Sequence, residues 1–286
     1  MINISYLEMP ITHICSLHCD GCSAYSNYTL KYNVSIEQVE AWLSMWSKRI
    51  NPKTFRMLGG EPFLHPQLPE IFLAVRRFFP NTHIAMCTNG MNLDKHPMMP
   101  RLLSLPNTSL HISIHSKEEK YVEKVKVAIN TMNSWAKNHG VKISSGDNVS
   151  KWNRFYKGIG AEMMPYEDKD VKKSWEVCHS KHCINLVEGR LWKCPQVGNL
   201  GLVADKFNLH EKEAWKPYLA YKGIGLEATE DELVKFLSKG PEAVCGMCPA
   251  NIENYEKDIY NVNFVQKGVH RMERPKPAPV QIAQAE

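Results

Sequence analysis

Through the first half of the chain, short apolar runs alternate with segments whose apolar residues return every three or four positions. Residues 2–14, which contain ISYLEMPITHI, predict a first strand. Ser35 and Gln38 then form a capping-box pattern, and Ile36, Val39, Leu43 and Trp46 fall on one face of the helix it opens. Thr54 to Leu58 predicts a second strand, ending in Gly59-Gly60-Glu61-Pro62. Leu68, Ile71, Val75 and Phe78 are the stripe of a second helix, and His83 to Cys87 is a third strand closed by Thr88-Asn89-Gly90. A short helix around 101–105 leads to a fourth strand, Leu110 to Ile114. The longest helix covers 118–138, with Val122, Val125, Ile129 and Met132 inward and Gly140 as its stop; Val141 to Ser144 is a fifth strand.

Strand and helix alternating at this spacing predict a parallel sheet built from right-handed βαβ units. The units are too few for a closed eight-fold barrel, so the expected class is α/β, a partial (β/α)6 TIM-like barrel over residues 1–165. In such sheets ligands gather at the carboxyl ends of the strands. The segments after the first four strands would share that rim.

Beyond about residue 160 the rhythm changes. Ile184 to Glu188 and Leu191 to Cys194 predict a hairpin around Gly189-Arg190. Thr229 and Glu232 cap a further helix with Leu233, Phe236 and Leu237 inside. Residues 175–265 are expected to form a small C-terminal α+β unit, and 272–286 a disordered tail. No internal repeat is visible.

Composition narrows the class only slightly. The chain has 286 residues, 43% hydrophobic and 23% charged, as in an ordinary globular protein. Its 35 Lys and Arg against 30 Asp and Glu leave +5, which suits an anionic ligand and is too small to argue for nucleic acid. No apolar run is long enough to span a membrane, and no secretory signal opens the chain, so a cytoplasmic location is expected.

The nine cysteines change the picture. Eight of them fall into two groups, Cys15, Cys19 and Cys22, then Cys178, Cys183, Cys194, Cys245 and Cys248. Grouped thiols in a cytosolic chain point to metal ligation before disulfides. Cys87 stands alone on a strand, where a thiol serves as a small buried hydrophobe. Cys15-Ser-Leu-His-Cys19-Asp-Gly-Cys22 has C-x3-C-x2-C spacing. Thiolates suit iron–sulfur clusters and zinc. Three of them on a four-iron cube leave one iron open for a small molecule.

This loop, placed after a first strand and followed by Gly-Gly-Glu-Pro, resembles the radical S-adenosylmethionine (SAM) superfamily over roughly residues 5–145. The resemblance implies a [4Fe–4S] cluster on Cys15, Cys19 and Cys22, with SAM chelated at the open iron. One electron then cleaves SAM, and the 5′-deoxyadenosyl radical takes hydrogen from a substrate. It also implies an external one-electron donor, a flavodoxin or ferredoxin. Gly59, Gly60, Glu61 and Pro62 are implied to hold the SAM amino group, and Asn89 and Ser113 the ribose or carboxylate. His115 is a candidate for SAM or substrate, and Arg154 for a substrate carboxylate or hydroxyl. One departure is Gly21, at a position often aromatic in the family.

In the second group, Cys183 and Cys194 flank the predicted hairpin, and Cys245-Gly-Met-Cys248 adds a C-x2-C pair. Four such thiolates form a cage that zinc would also suit. The pattern is similar to the twitch and SPASM extensions of radical SAM enzymes, which implies an auxiliary [4Fe–4S] cluster. No further cysteines follow the last pair, so the shorter twitch type is expected. Cys194, Cys245 and Cys248 are the first-choice ligands, and Cys178 and Cys183 compete for the fourth place. A thiol left over, Cys183 or Cys245, is a candidate hydrogen donor in an epimerase, whereas an auxiliary cluster accepting an electron would make a dehydrogenase. The twitch resemblance implies a small polar substrate such as a sugar, aminocyclitol or nucleotide-like molecule; the modest charge and the lack of a long apolar run lead to the expectation of neither nucleic acid nor membrane as partner. Trp152, Phe155, Tyr156 and Tyr166 are candidates to line its pocket, with core packing as their default expectation. A peptide-modifying maturase and a non-catalytic zinc module are the alternatives.

Overall fold

The computed structural model describes residues 1–147, 153–238, 240–252 and 259. Seven strands form one sheet in the order β5-β4-β3-β2-β1-β6-β7. They are β1 (Ile2–Thr12), β2 (Ile50–Gly59), β3 (His83–Thr88), β4 (Thr108–Ile114), β5 (Ile143–Asp147), β6 (Asn185–Val187) and β7 (Arg190–Trp192). The first five run parallel, joined through helices α1 (Ile36–Trp46), α2 (Leu68–Phe78), α3 (Met99–Leu103) and α4 (Glu119–His139). The remaining helices are α5 (Val171–Val177), α6 (Pro195–Phe207), α7 (Lys216–Leu219) and α8 (Glu230–Ser238).

The expected hairpin forms, and it extends the main sheet. β6 pairs parallel with β1 through Glu8 and Asn185, and β7 returns antiparallel. The sixth parallel strand therefore lies between β1 and the edge strand β7, not beyond β5, and the sheet remains open. The turn is Glu188-Gly189, both left-handed (φ 51° and 76°), one residue earlier than the sequence pattern suggests. Trp46 Nε1 donates to Gly189 O at 2.8 Å, and Arg49 donates to Leu226 O and Ala228 O at 3.0 and 2.6 Å. These bonds dock the C-terminal segments on the end of α1.

Local chemistry accounts for most helix boundaries. Ser35 caps α1 with a complete capping box, and Gly140 at φ 72° ends α4. α4 is turned by about one residue from the expected stripe: Tyr121, Val125, Ala128 and Met132 are buried. Tyr121 takes the inward place because its ring fills the core while its hydroxyl accepts from His115 N at 2.9 Å and donates to Ser113 O at 3.4 Å.

Alternation along the strands gives the sheet two unlike faces. Leu7, Met9, Ile11, Phe55, Met57, Ile84, Met86, Leu110 and Ile112 pack beneath α1–α4 in the main core, which also takes in Leu186, Leu191, Leu233 and Phe236. The opposite face carries Tyr6, Glu8, Arg56, Cys87, His111 and Ser113. A second core joins Tyr25, Tyr28 and Leu30, just after the cysteine loop, to α6. Phe155 and Tyr156 are buried in it, the core packing that is their default expectation, and are not free to line a pocket. Trp152 and the 272–286 tail lie outside the described residues.

Candidate functional site

The cysteine loop leaves the carboxyl end of β1, directly against the turn that leaves β2. Gly60 N donates to Thr12 O at 2.7 Å, and Glu61 N to Ile14 O at 2.8 Å. A side chain does not fit in this zipper. A Cβ on Gly59 (φ 154°) would stand 2.2 Å from Thr12 O, and one on Gly60 2.3 Å from Ile14 O. The two glycines are therefore required by close backbone approach at the entrance to the Cys15 loop.

Glu61 lies fully buried behind this turn. Its Oε1 accepts from Thr88 Oγ1 at 2.7 Å and from Phe63 N at 3.1 Å, and its Oε2 accepts from Asn89 N at 2.7 Å. It thus ties the ends of β2 and β3 together. Asn89 reaches back across the rim, its Nδ2 lying 3.2 Å from Ser16 Oγ and 3.7 Å from Cys15 Sγ. Glu61, Asn89 and Cys15 are brought together, as expected. Ser113 shares the polar face with His111 and Cys87, at the end of β4.

Burial raises the Glu61 carboxyl to about 7, against the three hydrogen bonds that lower it. The folded value lies above the unfolded one. Its contribution to stability is therefore complete below about pH 4.5 and is lost as pH rises through about 7. In metal-free protein, Glu61→Gln should abolish this part of the pH dependence, on the order of 3 kcal/mol between those limits. Thermal unfolding of both proteins from pH 5 to 8 checks it; parallel curves would refute it.

Arg154 does not project as a free substrate ligand. Its Nε and Nη2 meet Asp20 Oδ2 at 3.2 and 2.5 Å, clipping the cysteine loop to the segment beyond β5. With its side chain 52% exposed, the pair is screened, and Arg154→Ala should cost less than about 1 kcal/mol of global stability. Its local effect should be larger, seen as faster amide exchange across residues 15–22. Unchanged exchange there would remove Arg154's tethering role. Within the loop, Gly21 is left-handed (φ 64°), a conformation that an aromatic residue takes up poorly.

Burial raises the Cys15 thiol well above its ordinary value, with Cys19, Glu61 and Cys22 close enough to add to the effect. Crowded buried thiols of this kind become good thiolates only with a cationic partner.

The second group divides. Cys178, Cys194, Cys245 and Cys248 line one cavity, whose walls include Trp175, Val197, Val244 and Met247. They arrive from four places: the end of α5, the start of α6, and the middle and C-cap of a 3-10 turn, Ala243–Met247. Cys183 lies outside this lining. It sits beside Glu8 and Arg56 on the polar sheet face, its thiol pushed up to about 12 first by burial and then by Glu8. Among the described residues, no three His, Cys, Asp or Glu side chains converge closely enough for one metal ion. A four-iron cube asks for a wider array, with each thiolate on its own iron.

Several site residues carried no sequence signal. Glu8 is buried on β1, accepting from Tyr6 Oη at 2.9 Å and Asn185 Nδ2 at 3.1 Å, with Arg56 Nη1 at 3.9 Å. Arg56 stacks 4.9 Å over the Tyr6 ring. Alternation on β1 and β2 places these groups on one face, but their grouping needs the strand register. Tyr25 is fully buried three residues after Cys22, in the same core as Cys194 and Cys248, and stacks on Tyr156. It spans the layer between the two cysteine sets.

Residues 9–140 match the family model described as the radical SAM superfamily. GTP 3',8-cyclase of Aquifex aeolicus (strain VF5) is 24% identical over 212 residues, 65% of this chain and 64% of that enzyme. Molybdenum cofactor biosynthesis protein 1 of Homo sapiens is 28% identical over 126 residues, 42% of this chain and 20% of that protein. The chain thus spans less than two thirds of these relatives. Among solved structures, BtrN in complex with AdoMet and 2-DOIA is similar with a TM-score of 0.46 at 14% identity, covering 88% of this chain and 97% of that one. No helix among the described residues is long and apolar enough to cross a membrane. The segment that matches the radical SAM superfamily model holds the cysteine loop, the Gly59-Gly60-Glu61 turn, Asn89, the end of β1 and all of β2, β3 and β4.

Proposed function

We propose that the protein is a radical SAM enzyme that oxidises or epimerises a small polar substrate of the sugar, aminocyclitol or nucleotide class. The observation that carries this reading is the meeting of Cys15, the Gly59-Gly60 turn and Asn89 at one sheet edge, inside the segment that matches the family. When bound, the cluster and SAM supply a 5′-deoxyadenosyl radical that takes a hydrogen atom from substrate. Cys15, Cys19 and Cys22 would hold that cluster. Backbone groups of Gly59 and Gly60 would receive the SAM amino group, since both Glu61 oxygens already serve Thr88, Asn89 and Phe63. Asn89 would orient SAM from the Cys15 side, and Ser113 and His115 would contribute from the β4 end.

Below this rim the polar sheet face offers Arg56, Tyr6 and His111, a floor suited to hydroxyl and anionic groups. The similarity to GTP 3',8-cyclase keeps a nucleotide among the candidates. Cys178, Cys194, Cys245 and Cys248 would hold an auxiliary [4Fe–4S] cluster, because they share one cavity and offer only thiolates. A flavodoxin or ferredoxin would supply the electron.

The test is 5′-deoxyadenosine formation from SAM by anaerobically reconstituted, dithionite-reduced protein. Formation of 5′-deoxyadenosine, raised by a particular sugar, aminocyclitol or nucleotide, is expected. Stoichiometric zinc without iron, and no SAM cleavage, would overturn the reading.

A further inference from the structure

Gln196 stands two residues after Cys194, in the first turn of α6, and lines the cavity of the second cysteine group. Its side chain is 1% exposed, and neither Nε2 nor Oε1 has a hydrogen-bond partner among the described residues. A buried amide left unpaired costs about 1–3 kcal/mol for each group, so its presence calls for a partner inside the cavity. Among the neighbouring walls, Trp175, Val197, Val244 and Met247 supply no side-chain acceptor, and the Ser174 hydroxyl already donates to Cys248 O at 2.9 Å.

The same wall presents other donors. The backbone N–H groups of Gln196 and Val197 point to the Cys194 sulfur, at the positive end of a 13-residue helix. Lys193 also lines the cavity, with its charge balanced by Glu242 at 3.4 Å. Lys181 lines it too, its Nζ donating to Glu176 O at 2.9 Å. The oriented donors and this cation together favour negative charge in the cavity.

Resting on the auxiliary-cluster reading above, we infer that Gln196 Nε2 donates a hydrogen bond to a sulfur of the cluster held by Cys178, Cys194, Cys245 and Cys248, and thereby raises its reduction potential. Reduction adds negative charge to the cluster. A donor aimed at sulfur stabilises that charge, and hydrogen bonds to sulfur are a principal means by which proteins set such potentials. Gln196 is a positioning and tuning residue here, since it binds no metal itself.

The test is a redox titration followed by electron paramagnetic resonance on the full chain, reconstituted anaerobically. Wild type, Gln196→Leu and Gln196→Met are compared, with iron counted in each. The auxiliary signal is the one that added SAM leaves unchanged. Both variants should keep the iron of two clusters, and their auxiliary midpoint should move to lower potential. The expected shift is a threefold to tenfold change in the reduced-to-oxidised ratio, where tenfold is about 59 mV for a one-electron couple. The other cluster's midpoint should not move. If iron is intact and the auxiliary midpoint is unmoved, the Gln196 inference fails while the cluster reading stands. If wild type itself holds one cluster's iron, the cluster reading fails and takes the inference with it. If Leu alone loses the cluster, the Met midpoint decides; loss in both variants would make Gln196 a structural residue and overturn the tuning role.

Discussion

Joint replacement of Cys15, Cys19 and Cys22 by alanine is expected to abolish 5′-deoxyadenosine formation and to lower iron from about eight to about four per chain. The three thiols leave β1 together and enter a loop held by the Gly60 and Glu61 backbone bonds to Thr12 and Ile14. Those bonds do not involve the sulfurs, so the triple variant should fold and retain the second group's iron. An iron content of eight in the variant would place the first cluster elsewhere. A content of four in wild type and none in the variant would leave a single cluster and remove the auxiliary assignment. Rapid loss of soluble protein would show that the cluster holds the loop and its surrounding core together. Circular dichroism and iron analysis on the same samples separate these results.

Cys178→Ala is expected to lose about four irons, whereas Cys183→Ala should keep about eight. The two cysteines are near neighbours in sequence, and spacing does not choose between them. Cys178 shares its cavity with Cys194, Cys245 and Cys248, while Cys183 faces Glu8 and Arg56 across the β1–β6 pairing. Removing one ligand of a buried cluster exposes an iron and leaves three crowded thiols without their countercharge. Removing Cys183 takes one thiol from a half-buried polar face. It should alter substrate turnover or product stereochemistry more than iron content. The opposite iron pattern would assign Cys183 as the fourth ligand and free Cys178. On the expected pattern Cys183 is also the thiol to test as hydrogen donor, by following deuterium from solvent into recovered substrate.

Much of the rim was legible because it rests on local rules. Glycine pairs, capping boxes and alternating strands leave marks within a few residues, as at Gly59-Gly60, Ser35 with Gln38, and Gly140. The sequence could also place Cys15, Glu61 and Asn89 on one edge, since parallel strands all end on the same side. It could not indicate that Glu61 spends both oxygens on tying β2 to β3, or that Arg154 belongs to Asp20, 134 residues away. Those choices depend on which side chains meet.

By itself, the sequence determined the βαβ rhythm, the cysteine loop after β1 and the grouping of thiols at two distant points. Each is written in periodicity or short spacing, which local backbone geometry converts directly into structure. Only the tertiary structure decided that the β6–β7 hairpin extends the main sheet beside β1. That pairing puts Cys183 against Glu8 and leaves Cys178 to the cavity. It also decided that Glu8, Arg56 and Tyr6 share one polar face and that Gln196 looks into the second cysteine cavity. Such neighbours lie up to nearly two hundred residues apart, as Glu8 and Asn185 do (|i−j| 177). They are chosen by strand register and by the need to bury two apolar cores at once, which no window of sequence contains.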